Sequence, residues 1–125
     1  MKCYPMLVVQ DVPASSRWYQ DLLGVTSAHG GDEFEMLMAG KDLILTLHHR
    51  DVDEHPVIAD PSDETPGRGV LLYFSVEDVQ AFYDRARAMG ADVVDEPHDN
   101  PKAHAVEFSL RDPDGYAMTV SQWAG

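Results

Sequence analysis

The chain repeats itself. Val9-Gln10-Asp11-Val12 returns sixty-seven residues later as Val76-Glu77-Asp78-Val79. Each copy follows a short apolar run and leads into apolar residues at helical spacing, and each helix ends at a glycine, Gly24 or Gly90. Strand-like runs follow in both halves. One such unit has a single helix and a small open sheet, so it cannot cover its own apolar face. Two units, of one chain or of two, are needed to bury it. The expected architecture is α+β, with two units of strand, helix and further strands forming a curved sheet, helices on its outer face and a concave inner face where a small ligand can bind.

The elements follow from local signals. Tyr4–Val9 reads as a buried strand. Asp11 is an N-cap and Pro13 suits the first turn of a helix carrying Val12, Ser15, Trp18, Tyr19, Leu22 and Leu23. Trp18 and Tyr19 read as core packing. Phe34–Met38 and Leu43–His48 read as strands joined by a turn over Ala39-Gly40-Lys41-Asp42. Residues 50–67, with three prolines and six acids, read as an acidic loop joining modules at about 1–50 and 68–125 of a single domain. Val70–Val76 is a strand, and Asp78 caps a helix with inner face Val79, Phe82, Ala86 and Met89. Ala91–Asp95 is a short strand and Asp95 to Ala103 a polar loop. Ala105–Leu110 and Ala117–Gln122 form a hairpin across Arg111-Asp112-Pro113-Asp114-Gly115.

Composition narrows the function classes. The chain has 125 residues, 44% hydrophobic and 25% charged, which fits one globular domain. A net charge of −13 repels phosphate backbones and anionic lipid, so neither nucleic acid nor membrane is an expected partner. The single cysteine, Cys3, excludes an intrachain disulfide and a cysteine-based zinc site. No apolar run approaches the roughly 18 residues of a membrane span, and the first residues are too short for a secretory signal, so a cytoplasmic protein is expected.

The block Leu7-Val-Val-Gln-Asp-Val12 through Trp18-Tyr19-Gln-Asp-Leu-Leu-Gly24, with the later Val76-Glu-Asp-Val79 and Asp112-Pro-Asp-Gly-Tyr116, resembles the vicinal oxygen chelate superfamily of glyoxalases, bleomycin-resistance proteins and extradiol dioxygenases. The resemblance runs in order along nearly the whole chain. It implies paired βαβββ modules, a homodimer, and pockets in the sheet concavity. In the metal-using members it implies a histidine seven residues before each helix-capping Asp, a glutamate four residues after the glycine of Asp-Pro-Asp-Gly, and a further glutamate on the last strand of the first half. Here those places hold Tyr4, Leu71, Thr119 and, near the fourth, Thr46. Leucine cannot coordinate and neutral hydroxyls are poor ligands.

Strand alternation assigns the inward faces. Tyr4, Met6, Thr46, His48, Leu71, Tyr73, Thr119 and Ser121 line the expected pocket, with Trp123 stacking on a ligand or sealing a dimer seam. His49 should face away from His48, and His104 with Glu107 is a possible cross-face pair. No nucleophile–base constellation stands out, so no catalytic residue, metal ligand or cofactor is expected. The reading is metal-independent binding or sequestration of a small aromatic or cationic molecule, resembling bleomycin-resistance-type proteins. The alternative is a metal-dependent glyoxalase- or dioxygenase-like enzyme with a displaced metal site, for which His48, His104 and Glu107 are the candidate parts. A small structural or regulatory dimer with a vestigial cavity is a third possibility.

Overall fold

The computed structural model describes residues 1–50, 55, 57 and 67–123. The backbone falls into two compact units, Met1–Glu64 and Thr65–Gly125. The first contains β1 (Met6–Val9), α1 (Val12–Leu23), β2 (Thr26–Ser27), β3 (Phe34–Ala39) and β4 (Asp42–His49). The second contains β5 (Leu72–Ser75), α2 (Val79–Ala88), β6 (Asp92–Asn100), β7 (Ala105–Arg111) and β8 (Ala117–Trp123). Each unit is thus a βαβββ module, and the two sheets have the same topology, β1-β4-β3-β2 and β5-β8-β7-β6. In each, the first strand runs parallel to the last and the other pairs are antiparallel.

The repeated Val-x-Asp-Val block works through its aspartate. The Asp11 carboxylate accepts from the Ala14 N–H at 3.0 Å, and that of Asp78 from the Ala81 N–H at 3.2 Å. Each satisfies a donor that a helix start leaves without a partner. Gly24 and Gly90 close the helices with φ of 70° and 67°, a backbone conformation costly for residues with a Cβ. In the first unit, alternation puts Leu7, Val9, Leu37, Leu45 and Leu47 in the buried layer with Val12, Tyr19 and Leu22 of α1. In the second, Met118, Val120, Phe108 and Leu110 are fully buried with Ala86. Trp18 is half-buried and meets the Tyr19 ring edge-on at 5.0 Å.

Several expected boundaries shift. The β3–β4 turn narrows to Gly40-Lys41, because the ladder already pairs Ala39 with Asp42. Tyr4 and Val70 lie outside the strands assigned to them. The two-residue strand β2 had no apolar alternation to reveal it. The largest correction is β6. The polar stretch Asp95 to Ala103, expected as a loop, is mostly strand and ends at Asn100. It is an edge strand whose register shifts between Asp95 and His98, and this is where Pro97, which has no N–H to give to a ladder, can be tolerated. In α2, Tyr83 meets Phe108 edge-on at 5.3 Å, and the Arg85 guanidinium lies 4.2 Å from the Phe82 ring centroid. The expected loop over 50–67 lies outside the described residues except at Arg50, His55, Val57 and Gly67.

Gly67 packs against the second unit's turn. The Asp112 carboxylate accepts from the Asp114 and Tyr116 N–H groups, each at 2.9 Å, and this tight turn delivers the buried Tyr116 ring. A Cβ on Gly67 would lie 2.7 Å from Tyr116 Cδ1, at a φ of +68°. Gly67→Ala should therefore destabilise the protein by about 2–4 kcal/mol, combining left-handed strain with a clash against an aromatic ring. Urea unfolding checks this, and an unchanged midpoint would show that the ring yields.

Candidate functional site

In each sheet one face is covered by the helix, and strand parity puts Met6, Thr46, His48, Tyr73, Thr119 and Ser121 on the opposite face. In the first unit, ladder pairing places Met6 opposite Thr46 and Val8 opposite His48, with Met36 and Phe34 on the other flank of β4. Thr46 and His48 are buried. The Thr46 hydroxyl donates to the Pro5 carbonyl at 3.1 Å, and the Thr46 N–H donates to the same oxygen at 2.9 Å. His48 Nδ1 lies 2.8 Å from its neighbour's carbonyl, that of His49. The two imidazoles are stacked with centroids 4.8 Å apart, and His55 meets His48 edge-on at 5.4 Å. His49 therefore does not turn away as alternation suggested. It is the last residue of β4, still paired with Val9 in the ladder.

The second unit presents a polar sheet face. Tyr73 pairs with Thr119 and Ser75 with Ser121, and these in turn pair with Ser109 and Glu107 of β7. Glu107 Oε2 accepts from the Tyr73 hydroxyl at 2.7 Å, and Oε1 from the Asn100 amide at 2.9 Å. The Ser121 hydroxyl lies 3.0 Å from the Tyr73 oxygen. Tyr73 has one phenolic proton, and the carboxylate can only accept, so the chain runs from Ser121 to Tyr73 to Glu107. The Ser121 contact favours the phenolate, but the Glu107 carboxylate and partial burial outweigh it and push the Tyr73 hydroxyl above its usual range. Tyr73 is a neutral donor at physiological pH. Ser109 and Thr119 hydroxyls meet at 2.8 Å.

Tyr4 and Leu71 are about half-exposed and sit just before β1 and β5, so ladder pairing does not fix their direction. Trp123, the last residue of β8, is 65% exposed. An open depression of about 650 Å³ lies at that end of the second sheet, lined by Ser75, Val76, Glu77, Gln122 and Trp123. His104 is an exposed turn residue with φ 52°, and Glu107 is engaged by Tyr73 and Asn100, so the anticipated His104–Glu107 pair does not form. Glu107, Asn100 and Ser109 were missing from the expected pocket lining. The parity of β7 with Tyr73 and Thr119 was the signal for Glu107 and Ser109. Asn100 was concealed inside the supposed loop.

A model of the Glyoxalase/Bleomycin resistance protein/Dioxygenase superfamily matches residues 4–120, and the chain belongs to that superfamily. Among solved structures it is similar to a glyoxalase/bleomycin resistance protein/dioxygenase family enzyme from Burkholderia phytofirmans PsJN, with 24% identity, 97% of each chain covered and a TM-score of 0.81. It is similar to a protein of unknown function from Agrobacterium tumefaciens str. C58, with 26% identity, 99% of this chain and 95% of that one covered, and a TM-score of 0.79. A lactoylglutathione lyase from Agrobacterium tumefaciens shares the fold at 18% identity, covering 98% and 92%, with a TM-score of 0.72. No curated protein matches the sequence.

The metal that this superfamily implies does not fit the residues at the matched positions. Leu71 has no donor atom. Thr46 and Thr119 have neutral hydroxyls already engaged with Pro5 and Ser109. Tyr4 would have to ionise to bind well. Among the described residues no group of three or more His, Cys, Asp or Glu is placed to hold a metal ion. No helix among them is long and apolar enough to cross a membrane.

Proposed function

We propose that the protein binds and sequesters a small aromatic or cationic molecule without a metal ion. The observation that carries this reading is the chemistry at the four matched positions, where Tyr4, Thr46, Leu71 and Thr119 offer aromatic, hydroxyl and alkyl surface in place of imidazole and carboxylate. Such surface suits an amphipathic organic ligand. Aromatic rings supply contact area, and a few neutral hydroxyls fix orientation. The Tyr73 hydroxyl and the Glu107 carboxylate, joined by their own hydrogen bond, add polar surface on the second sheet. The same reading includes a homodimer, which light scattering of the purified protein tests directly.

The test has two arms. Purified and dialysed protein should contain no stoichiometric zinc, nickel or iron. A thermal-shift screen with aromatic amines and uncharged aromatics should give hits, because a ligand at a hundred times its Kd adds about 2.7 kcal/mol to stability. Stoichiometric metal together with turnover of a hemithioacetal or a catechol would overturn the proposal.

A further inference from the structure

The repeat provides its own control for the end of the second sheet. β5 and β8 run parallel and finish together, and the chain leaves β5 through Val76 and Glu77 to start α2. The open depression of about 650 Å³ lies there, lined by Ser75, Val76, Glu77, Gln122 and Trp123. Ground outside the carboxyl ends of parallel strands is a common ligand position, and the volume is that of an ordinary ligand pocket. The first module fills the same frame with different side chains. The sixty-seven-residue offset sets Ser75 on Val8 and Glu77 on Gln10. Ser75 pairs with Ser121 as Val8 pairs with His48, so Trp123, two residues on, takes the place of Arg50. A sheet and helix of this topology therefore close without an indole or a carboxylate at these places.

Of the lining residues, Gln122 does serve the fold. Its Oε1 accepts from the Val79 N–H at 2.9 Å, one of the donors that a helix start leaves over. The helix takes the amide oxygen, so the amide nitrogen is the group this side chain can offer a ligand. Trp123 is 65% exposed, an indole held in water where the first module keeps a charged side chain. Glu77 and Ser75 are exposed as well. The start of α2 carries about half a positive charge. Glu77 and the capping Asp78 set two carboxylates against it. The local balance is negative, so the field favours a cation, in keeping with a net charge of −13.

We propose that the depression at the carboxyl ends of β5 and β8 takes a planar aromatic cation bearing N–H groups, its ring against the Trp123 indole and its N–H edge on the Glu77 carboxylate. This rests on the binding reading above and deepens it, naming the class of ligand and assigning its charged ring to the second unit. A flat cation gains twice over, because the indole face attracts both the ring and its charge. A carboxylate takes two parallel N–H groups of an amidinium edge in one plane. The Gln122 amide nitrogen and the Ser75 hydroxyl serve an acceptor carried beside the ring. The depression is open, so a fragment-sized ligand binds with a Kd on the order of 1 mM.

The experiment is an NMR titration of the full chain with benzamidine and, separately, with benzamide, its uncharged isostere. Benzamidine should shift the Trp123 indole N–H and the Ser75 and Glu77 amides saturably, and benzamide should bind about fivefold more weakly. Two variants install what the first module carries at the same places. Glu77→Gln should bring benzamidine down to the level of benzamide. Trp123→Arg should abolish the Ser75 and Glu77 shifts with both compounds. Both positions are exposed, so each variant keeps the fold, which its amide spectrum verifies. Equal binding of the two compounds to the wild type, or undiminished shifts in Trp123→Arg, would overturn the inference. If benzamidine leaves these amides unmoved while the thermal-shift screen still yields ligands, this subsite is refuted and the sequestration reading stands. If neither gives binding, both fall.

Discussion

Glu35→Ala should lower the unfolding free energy by about 3 kcal/mol at neutral pH. Glu35 is buried on the helix-facing side of β3. Burial alone would raise its pKa, since a carboxylate loses water there. Five donors more than reverse that effect. Oε2 accepts from the Ser16 hydroxyl at 2.8 Å and the Ser27 hydroxyl at 2.7 Å. Oε1 accepts from the backbone N–H groups of Gly30 and Met36, each at 2.9 Å, and of His29 at 3.2 Å. The result is a pKa lowered from 4.5 to about 2. At about 1.4 kcal/mol per pKa unit, that is the roughly 3 kcal/mol at stake. The sign follows from linkage. A depressed carboxylate pKa contributes in full above the unfolded value near 4.5, and the contribution fades as pH falls towards 2. Urea unfolding of the wild type should weaken across that window, whereas the Ala variant should lack this part of the slope. A variant with the wild-type midpoint at pH 7 would show that the five donors find other partners.

Phe108→Ala should be at least as damaging, at about 3–5 kcal/mol. Phe108 is fully buried in the middle of β7. Its ring meets Tyr83 of α2 edge-on, and Val120 stands opposite it in the ladder. Removing it leaves a void between helix and sheet that backbone hydrogen bonding will not allow to close. Phe108→Leu retains most of the volume and should cost about 1 kcal/mol. Chemical denaturation of both variants separates cavity from shape. Equal costs would mean that the lost edge-to-face contact, rather than the void, dominates.

These two residues differ in how visible they were beforehand. Phe108 lies in a strand that alternates apolar Val106, Phe108 and Leu110 with polar Glu107 and Ser109, a period-two pattern that carries the signal for its burial. Glu35 is an acid within a strand of apolar residues. Its parity with Leu37 pointed it at the helix, but only the chain folding back through Ser27, His29 and Gly30 supplies the donors that make a buried carboxylate tolerable. Likewise Tyr73, Thr119 and Ser121 were legible as sharing one face. Glu107 became their partner only when β7 paired with β8 in a particular register.

Sequence alone determined the local grammar: a twofold repeat of strand and helix, helices begun at Asp11 and Asp78 and ended at Gly24 and Gly90, and, through the family resemblance, matched positions whose side chains do not suit a metal ion. Caps, turns and alternation act over a few residues, so they can be read directly from the order of amino acids. The tertiary structure decided what depends on pairing between distant segments. It carried β6 through Pro97 along a sheet edge, seated Glu35 among its donors, and joined Tyr73 to Glu107 across Ser121. A strand's partner and register are set by burial summed over many residues, and no short stretch of sequence contains that sum.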